Sequence, residues 1–356
     1  MYTREIQKPK PSPVENGTPL YGTWTQAFNK VDLLSVHKPY SIPLPRVIKA
    51  LKVKEWESFI IHDDRYLLQI RFCNMKYNRF ALVMMYDCQT NEKLEYLKVI
   101  PGGGWRMPLS LDNASVDSFS DGFFLRIHSW LDIKSVMLEL DIKNTRKRPA
   151  FTAYVVFDFA EGEPTPMAVS LLFSERRNMY AYKAITAVKG DIVSGGKHIH
   201  LSPDKTSGLF CDFKGYYPRK KYSTWCSALG FDGENRRFGF SFGETQTKEP
   251  YSNNENALWI DGKLTPMPPV KITRNIKDEK NWVIQDMEGM IDLVFNPKEP
   301  EKNIRKTVFS RYTSVLFGYH YENPLGCFNG LLVDADGKEL PVKDAWGIGE
   351  KFFLRI

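Results

Sequence analysis

No stretch of this 356-residue sequence approaches the roughly 18 uninterrupted apolar residues of a membrane helix; the longest apolar runs, such as Phe80 to Tyr86, are strand-sized. An integral membrane helix is therefore not expected. The opening segment, MYTREIQKPKPSPVENG, lacks the apolar core of a signal peptide, so a cytoplasmic location is expected. Cysteines are few: Cys73, Cys88, Cys211, Cys226 and Cys327 are odd in number, irregularly spaced and without C-x-x-C. That excludes a disulfide framework or zinc ribbon and leaves buried thiols as the expectation.

Catalytic signatures are missing too. There is no H-E-x-x-H, and although His198 and His200 share a strand face, spacing identifies no third ligand, so no metal is expected. Gly102-Gly103-Gly104 sits beside a proline without the Gly-Lys-Ser/Thr of a phosphate cradle, and no G-x-S-x-G elbow occurs. Any enzyme here is expected to be free of cofactors, which favours proton transfer. Charge is mildly basic, +7, and its densest runs, Arg146-Lys147-Arg148 and Arg219-Lys220-Lys221, read as solvated turns rather than a nucleic-acid surface. Helical periodicity is confined to Thr25–Val36 and Arg46–Trp56, neither long enough to cover a sheet, and no repeat near 40 to 50 residues suggests propeller blades.

What the chain has in abundance is period-two alternation. Tyr66, Leu68, Ile70 and Phe72 alternate with Leu67, Gln69 and Arg71; Val136, Leu138, Leu140 and Ile142 with Met137, Glu139, Asp141 and Lys143; Phe238, Phe240 and Phe242 with Arg237, Gly239 and Ser241. Turn signals such as Ser120-Asp121-Gly122, Asp261-Gly262 and Asp336-Gly337-Lys338 separate them, as in antiparallel hairpins. So many strands would leave long exposed edges in an open sheet, which favours closure into barrels. Length predicts two domains, and the glycines of Thr186–Gly196 place the expected division at 1–190 and 191–356.

Several segments resemble the bacterial family known as domain of unknown function 2804. They are Leu209 to Pro218, Thr224-Trp225, Asn254 to Leu264, Leu316-Phe317-Gly318, Phe328-Asn329-Gly330 and Trp346 to Lys351, with weaker likeness at Trp24, Phe28-Asn29, Lys54-Glu55-Trp56 and Tyr180 with Lys183. The sequence departs from the family pattern at Lys214, where arginine is usual, and at Asn74, where aspartate is usual. That family is distantly similar to tandem lipocalin-like proteins, among them carotenoid hydratases, tocopherol cyclases and Diels-Alderases. The resemblance implies an all-β fold of two joined antiparallel lipocalin-like (calycin) β-barrels with a site between or inside them. It supplies no reaction.

Two acidic positions are candidate catalytic residues. Glu255 precedes the apolar Ala257-Leu258-Trp259-Ile260, where desolvation would keep it protonated as a general acid; the alternative is a carboxylate satisfied structurally. Asp212 shares a strand face with Lys214, which would keep it ionised as a base or charge stabiliser; the alternative is an ordinary ion pair. Trp225, Tyr217, Tyr216, Tyr180 and Trp259, with Lys183 and Asn256, are the expected substrate contacts, set against plain core packing. The expectation is an acid–base hydratase, cyclase or isomerase acting on a hydrophobic small molecule of isoprenoid or lipid type, or alternatively a carrier of such a molecule.

Overall fold

The computed structural model describes residues 2–76, 78–101, 107–274, 281–298, 312–313 and 318–355; Gly102-Gly103-Gly104 and Leu316-Phe317 lie outside them. The alternation predicted from sequence becomes two large antiparallel sheets, beside a two-stranded pair of Val14–Glu15 with Thr18–Pro19. In the first, of thirteen strands, the main path runs Glu92–Pro101, Asn78–Asp87, Tyr66–Asn74, Lys54–His62, Ser207–Gly215, Arg177–Ser194, Phe151–Asp158, Ser135–Ile142, Phe123–Trp130 and Ala114–Ser120. Its two end regions approach each other, with Lys98 Nζ donating to Asp121 O at 3.2 Å and the Tyr96 hydroxyl to Pro149 O at 2.9 Å. The sheet is thus a nearly closed barrel.

The second sheet, of eleven strands, centres on Arg237–Thr245, Lys220–Phe231, Glu339–Arg355 and Leu325–Val333 and curls into a half barrel. Its hairpins follow the turn chemistry. Asp261 and Gly262, at φ of 46° and 75°, join Ala257–Ile260 to Lys263–Pro266, and this pair of positive angles is what a two-residue hairpin loop demands. The fold class is therefore the expected one, two joined antiparallel barrels. Of the two expected helical segments, one is an α-helix over Arg46–Lys52 and the other only a 3-10 turn at Leu33–Ser35. Trp56 belongs instead to the strand Lys54–His62. Among the described residues no helix is long and apolar enough to cross a membrane.

Three apolar layers result. One fills the first barrel around Phe59, Phe157 and Phe210; one fills the half barrel around Phe240, Phe295 and Phe328; the third lies between them, around Trp56, Phe213, Trp225 and Ile348. Strand Ser207–Gly215 is buried along its whole length because both its faces meet a core. Phe210, on the even-numbered face, packs inside the first barrel; Leu209, Cys211 and Phe213 face the second sheet.

The chain leaves the first sheet at Gly215 and joins the second at Lys220, whereas the sequence placed the division at 190/191. Gly190 lies within the long strand Arg177–Ser194. This strand bends from one set of neighbours to another: residues 179–187 pair with Ser207–Gly215, and 187–194 with Phe151–Asp158. A Cβ on Gly190, at φ 140°, would lie 2.1 Å from Tyr154 O, so the glycine permits a close backbone approach.

Candidate functional site

Between the sheets lies a cavity of about 40 Å3 whose wall includes Trp56, Arg71, Lys183, Trp225, Glu350 and Phe352. Two charge couples meet there. Lys183, from the strand Arg177–Ser194, forms an ion pair with Glu255 Oε2 at 2.8 Å, oblique rather than an aligned hydrogen bond, and donates to Ser241 Oγ at 3.1 Å. Glu255 Oε1 accepts from Trp225 Nε1 at 3.0 Å and from Thr245 Oγ1 at 2.7 Å. Across the cavity, Glu350 Oε1 accepts from Gln69 Nε2 at 2.6 Å, the Tyr321 hydroxyl at 2.5 Å and the Arg71 guanidinium.

Local chemistry fixes Glu255. Asn256 Oδ1 accepts from Gly243 N at 2.7 Å while its amide donates to Pro268 O at 2.8 Å, and Asn254 Oδ1 accepts from Asn256 N at 2.9 Å. Arg4 reaches across from the N-terminal segment to Asn254 O at 2.9 Å and Met267 O at 2.6 Å. The side chain of Asn256 is committed to this loop, and Trp259 is an interface anchor, its Nε1 donating to Thr165 O at 2.9 Å.

Electrostatics reverses the role expected for Glu255. Burial pushes its carboxyl up, but Lys183, Lys221 and the Trp225 hydrogen bond outweigh burial and hold it below the ordinary range. It is a carboxylate, not a neutral acid. Lys221, read from sequence as part of a solvated basic turn, is also corrected: it is fully buried, with Nζ 4.4 Å from the Tyr217 ring centre, 4.8 Å from Phe173 and 5.3 Å from Trp225.

Asp212 does not share this cavity. On the opposite face of its strand it looks into the first barrel, where Lys214 Nζ donates to its Oδ2 at 3.2 Å and to Pro108 O at 2.6 Å. Glu57 stands directly across from it on Lys54–His62. Burial, then the Asp212 charge, raises the Glu57 carboxyl to about 8 against the pull of Lys214, and burial raises Asp212 as well. Tyr180 belongs to this inner cluster, its hydroxyl pushed well up by burial and by Asp212. Tyr216 is also on the barrel side, its hydroxyl donating to Leu33 O at 3.0 Å. The structure thus brings together Glu255, Lys183, Trp225 and Tyr217, the last stacked on Trp56 at 5.3 Å, and separates Asp212, Tyr180 and Tyr216 from them.

Arg71, Glu57, Lys221 and Glu350 were not among the candidate site residues read from the sequence. A signal for Lys221 existed: it shares parity with Trp225, Ser227 and Leu229 in one strand, so it faces the same layer. His198 and His200 sit on an exposed hairpin, both bonded to Asp191, at 2.9 and 3.0 Å. Among the described residues no group of three His, Cys, Asp or Glu could hold a metal ion.

Solved structures similar to this chain include kievitone hydratase from Nectria haematococca, at 12% identity over 85% of this chain and 87% of that one, with a TM-score of 0.49. CghA is similar at 10% identity over 86% and 89%, with a TM-score of 0.48. A protein from Nitrosomonas europaea solved as an AttH candidate is similar at 12% identity over 88% and 96%, with a TM-score of 0.45. No curated protein matches the sequence. The family model described as Domain of unknown function (DUF2804) matches residues 3–355, and the chain belongs to that family.

Proposed function

We propose that the cavity between the barrels is the active site of a cofactor-independent enzyme that performs acid–base chemistry of the hydratase, cyclase or isomerase kind on an apolar small molecule. The observation that supports this reading is the Lys183–Glu255 pair, fully buried, whose lysine lines a mostly apolar hollow. Glu255 orients Lys183, which lines the cavity, where it stabilises negative charge developing on a substrate oxygen or delivers a proton to it. Glu350, on the facing wall, is the proton acceptor, held by Arg71, Gln69 and Tyr321. Trp56, Trp225 and Phe352 keep water out. Two charge couples converging on one hollow favour an enzyme over a carrier, whose cavity would need no such groups.

Ligand pockets for molecules of this class run to roughly 300 Å3 or more, so a cavity of about 40 Å3 must widen on binding. Its walls are side chains such as Met75, Trp225 and Phe352, which can rotate. Native mass spectrometry of the purified protein identifies a co-purifying molecule, and a cell extract supplies the conversion assay. The expected result is turnover that falls by about 10²-fold or more in Lys183→Met and in Glu350→Gln, with the circular dichroism spectrum retained. A ligand that binds and returns unchanged makes the protein a carrier and removes the catalytic reading.

A further inference from the structure

We propose that Lys221 is a nucleophilic amine that captures an apolar aldehyde or ketone as a covalent imine beside the inter-barrel cavity. The proposal rests on the reading of that cavity as an acid–base site and names its substrate class, a carbonyl compound.

The buried lysines differ in what they touch. Lys54 donates to Leu51 O at 2.8 Å, Lys183 to Ser241 Oγ at 3.1 Å and Lys214 to Pro108 O at 2.6 Å. Lys221, among the described residues, has one polar contact, the weak acceptor Met179 Sδ at 3.8 Å, and is otherwise enclosed by Tyr217, Phe173 and Trp225. An ammonium without an oxygen partner is expensive to bury, and ring faces return only part of the cost. Burial accordingly lowers Lys221 to about 7, with Lys183 pushing the same way and Glu255 opposing. A methionine in this box of rings and thioether would serve packing as well. What the amine adds is a lone pair available at neutral pH, as in lysines activated by an apolar pocket and a neighbouring cation.

The cage rings are also the way in. Trp225 lines the inter-barrel cavity, while Tyr217 floors an outer groove of about 390 Å3 walled by Ile42, Leu44 and Ile48. Rotation of either ring opens Nζ to an apolar guest. The Nζ lone pair adds to the carbonyl carbon as the C=O π pair moves to oxygen. That oxygen takes up two protons, the nitrogen gives up its two, and water leaves. Amine plus carbonyl thus gives imine plus water with no change of oxidation state. Protonated, the imine draws electrons from the adjacent carbon, and Glu255, bonded to the same Trp225, offsets its charge.

The full-length protein is incubated with propanal and cyanoborohydride, which reduces any imine to a stable secondary amine, and the adduct is mapped by peptide mass spectrometry across pH. At pH 7 about half of Lys221 is neutral, whereas an ordinary lysine is neutral about once in 2,500. Lys221 is expected to label first, with a rate that rises through about pH 7, and Lys221→Met to lose that adduct alone. Labelling of Lys221 no faster than surface lysines, or with their pH profile, overturns the proposal; this wild-type profile decides even where Lys221→Met does not fold. Trapping needs neither the natural substrate nor Lys183. A positive trap with unchanged turnover in Lys183→Met therefore rejects the acid–base reading alone, and the converse rejects the imine alone.

Discussion

Glu57→Gln removes a carboxyl that the first barrel holds protonated at neutral pH. The cause is burial, reinforced by Asp212 directly across the strand pair, and Lys214 offsets it only in part, leaving about 8 against 4.5 for an unfolded chain. Between those values the folded state keeps a proton that the unfolded state has released. Stability from this group is therefore complete below pH 4.5 and is lost as pH rises through about 8. At about 1.4 kcal/mol per pH unit, ionising Glu57 in place costs the fold up to about 5 kcal/mol. Lys54 and Lys221, both lowered chiefly by burial to about 7, act in the opposite sense, since stability they withhold at neutral pH returns as pH climbs towards 10.5. The readout is accordingly the difference between wild type and Glu57→Gln, in which the lysines cancel. Urea unfolding at intervals between about pH 5 and pH 9 gives both free energies. The wild type should lose several kcal/mol relative to the variant across that range, so that Glu57→Gln is the more stable protein at the alkaline end. Parallel curves would mean that Glu57 is already ionised, and the picture of a dry, proton-bearing barrel interior would fall with them.

Two other perturbations test the framework. In a double-mutant cycle on Lys183→Met and Glu255→Gln, each single change should cost about 3 to 5 kcal/mol by stranding its partner, and the double change clearly less than their sum; additive denaturant midpoints would show that the pair is not coupled. Gly190→Ala should cost about 2 to 4 kcal/mol, because its Cβ meets the Tyr154 carbonyl and its φ of 140° is strained for any side chain; a loss below about 0.5 kcal/mol would contradict the bent-strand geometry.

Strands were legible in the sequence because one apolar face set against a polar one leaves a period of two. Phe238, Phe240 and Phe242 do fill the half barrel, and Ser241, on the other face, meets Lys183. The same alternation cannot say which of three layers a face joins. In Ser207–Gly215 both faces are buried, so nothing local distinguished Asp212, which looks into the first barrel, from Cys211, which lines the inter-barrel cavity. Glu255 stood out by its apolar neighbours, but its charge state depends on Lys183, 72 residues away in sequence. Lys221 was hidden by its company: Arg219 and Lys220 are solvated as a basic run should be, whereas two of its cage rings, Phe173 and Tyr217, come from other segments.

The buried charges themselves argue for chemistry at the interface. Burying an ion pair adds little or no net stability, and well-packed apolar residues of similar volume commonly serve a core as well or better. Lys183 and Glu255 nonetheless lie in the layer that joins the barrels, next to a hollow too small for a substantial guest at rest. In so dry a place fixed charges act at low dielectric and need no reorganisation when a substrate's charge develops, which is the circumstance in which electrostatics contributes most to catalysis. The layer is also where movement is cheapest, because a cavity walled by side chains from two separate sheets can widen by rotamer changes while each sheet keeps its hydrogen bonds. Stability spent on charge and freedom kept for opening therefore fall at the same place in the molecule, as the proposed site requires.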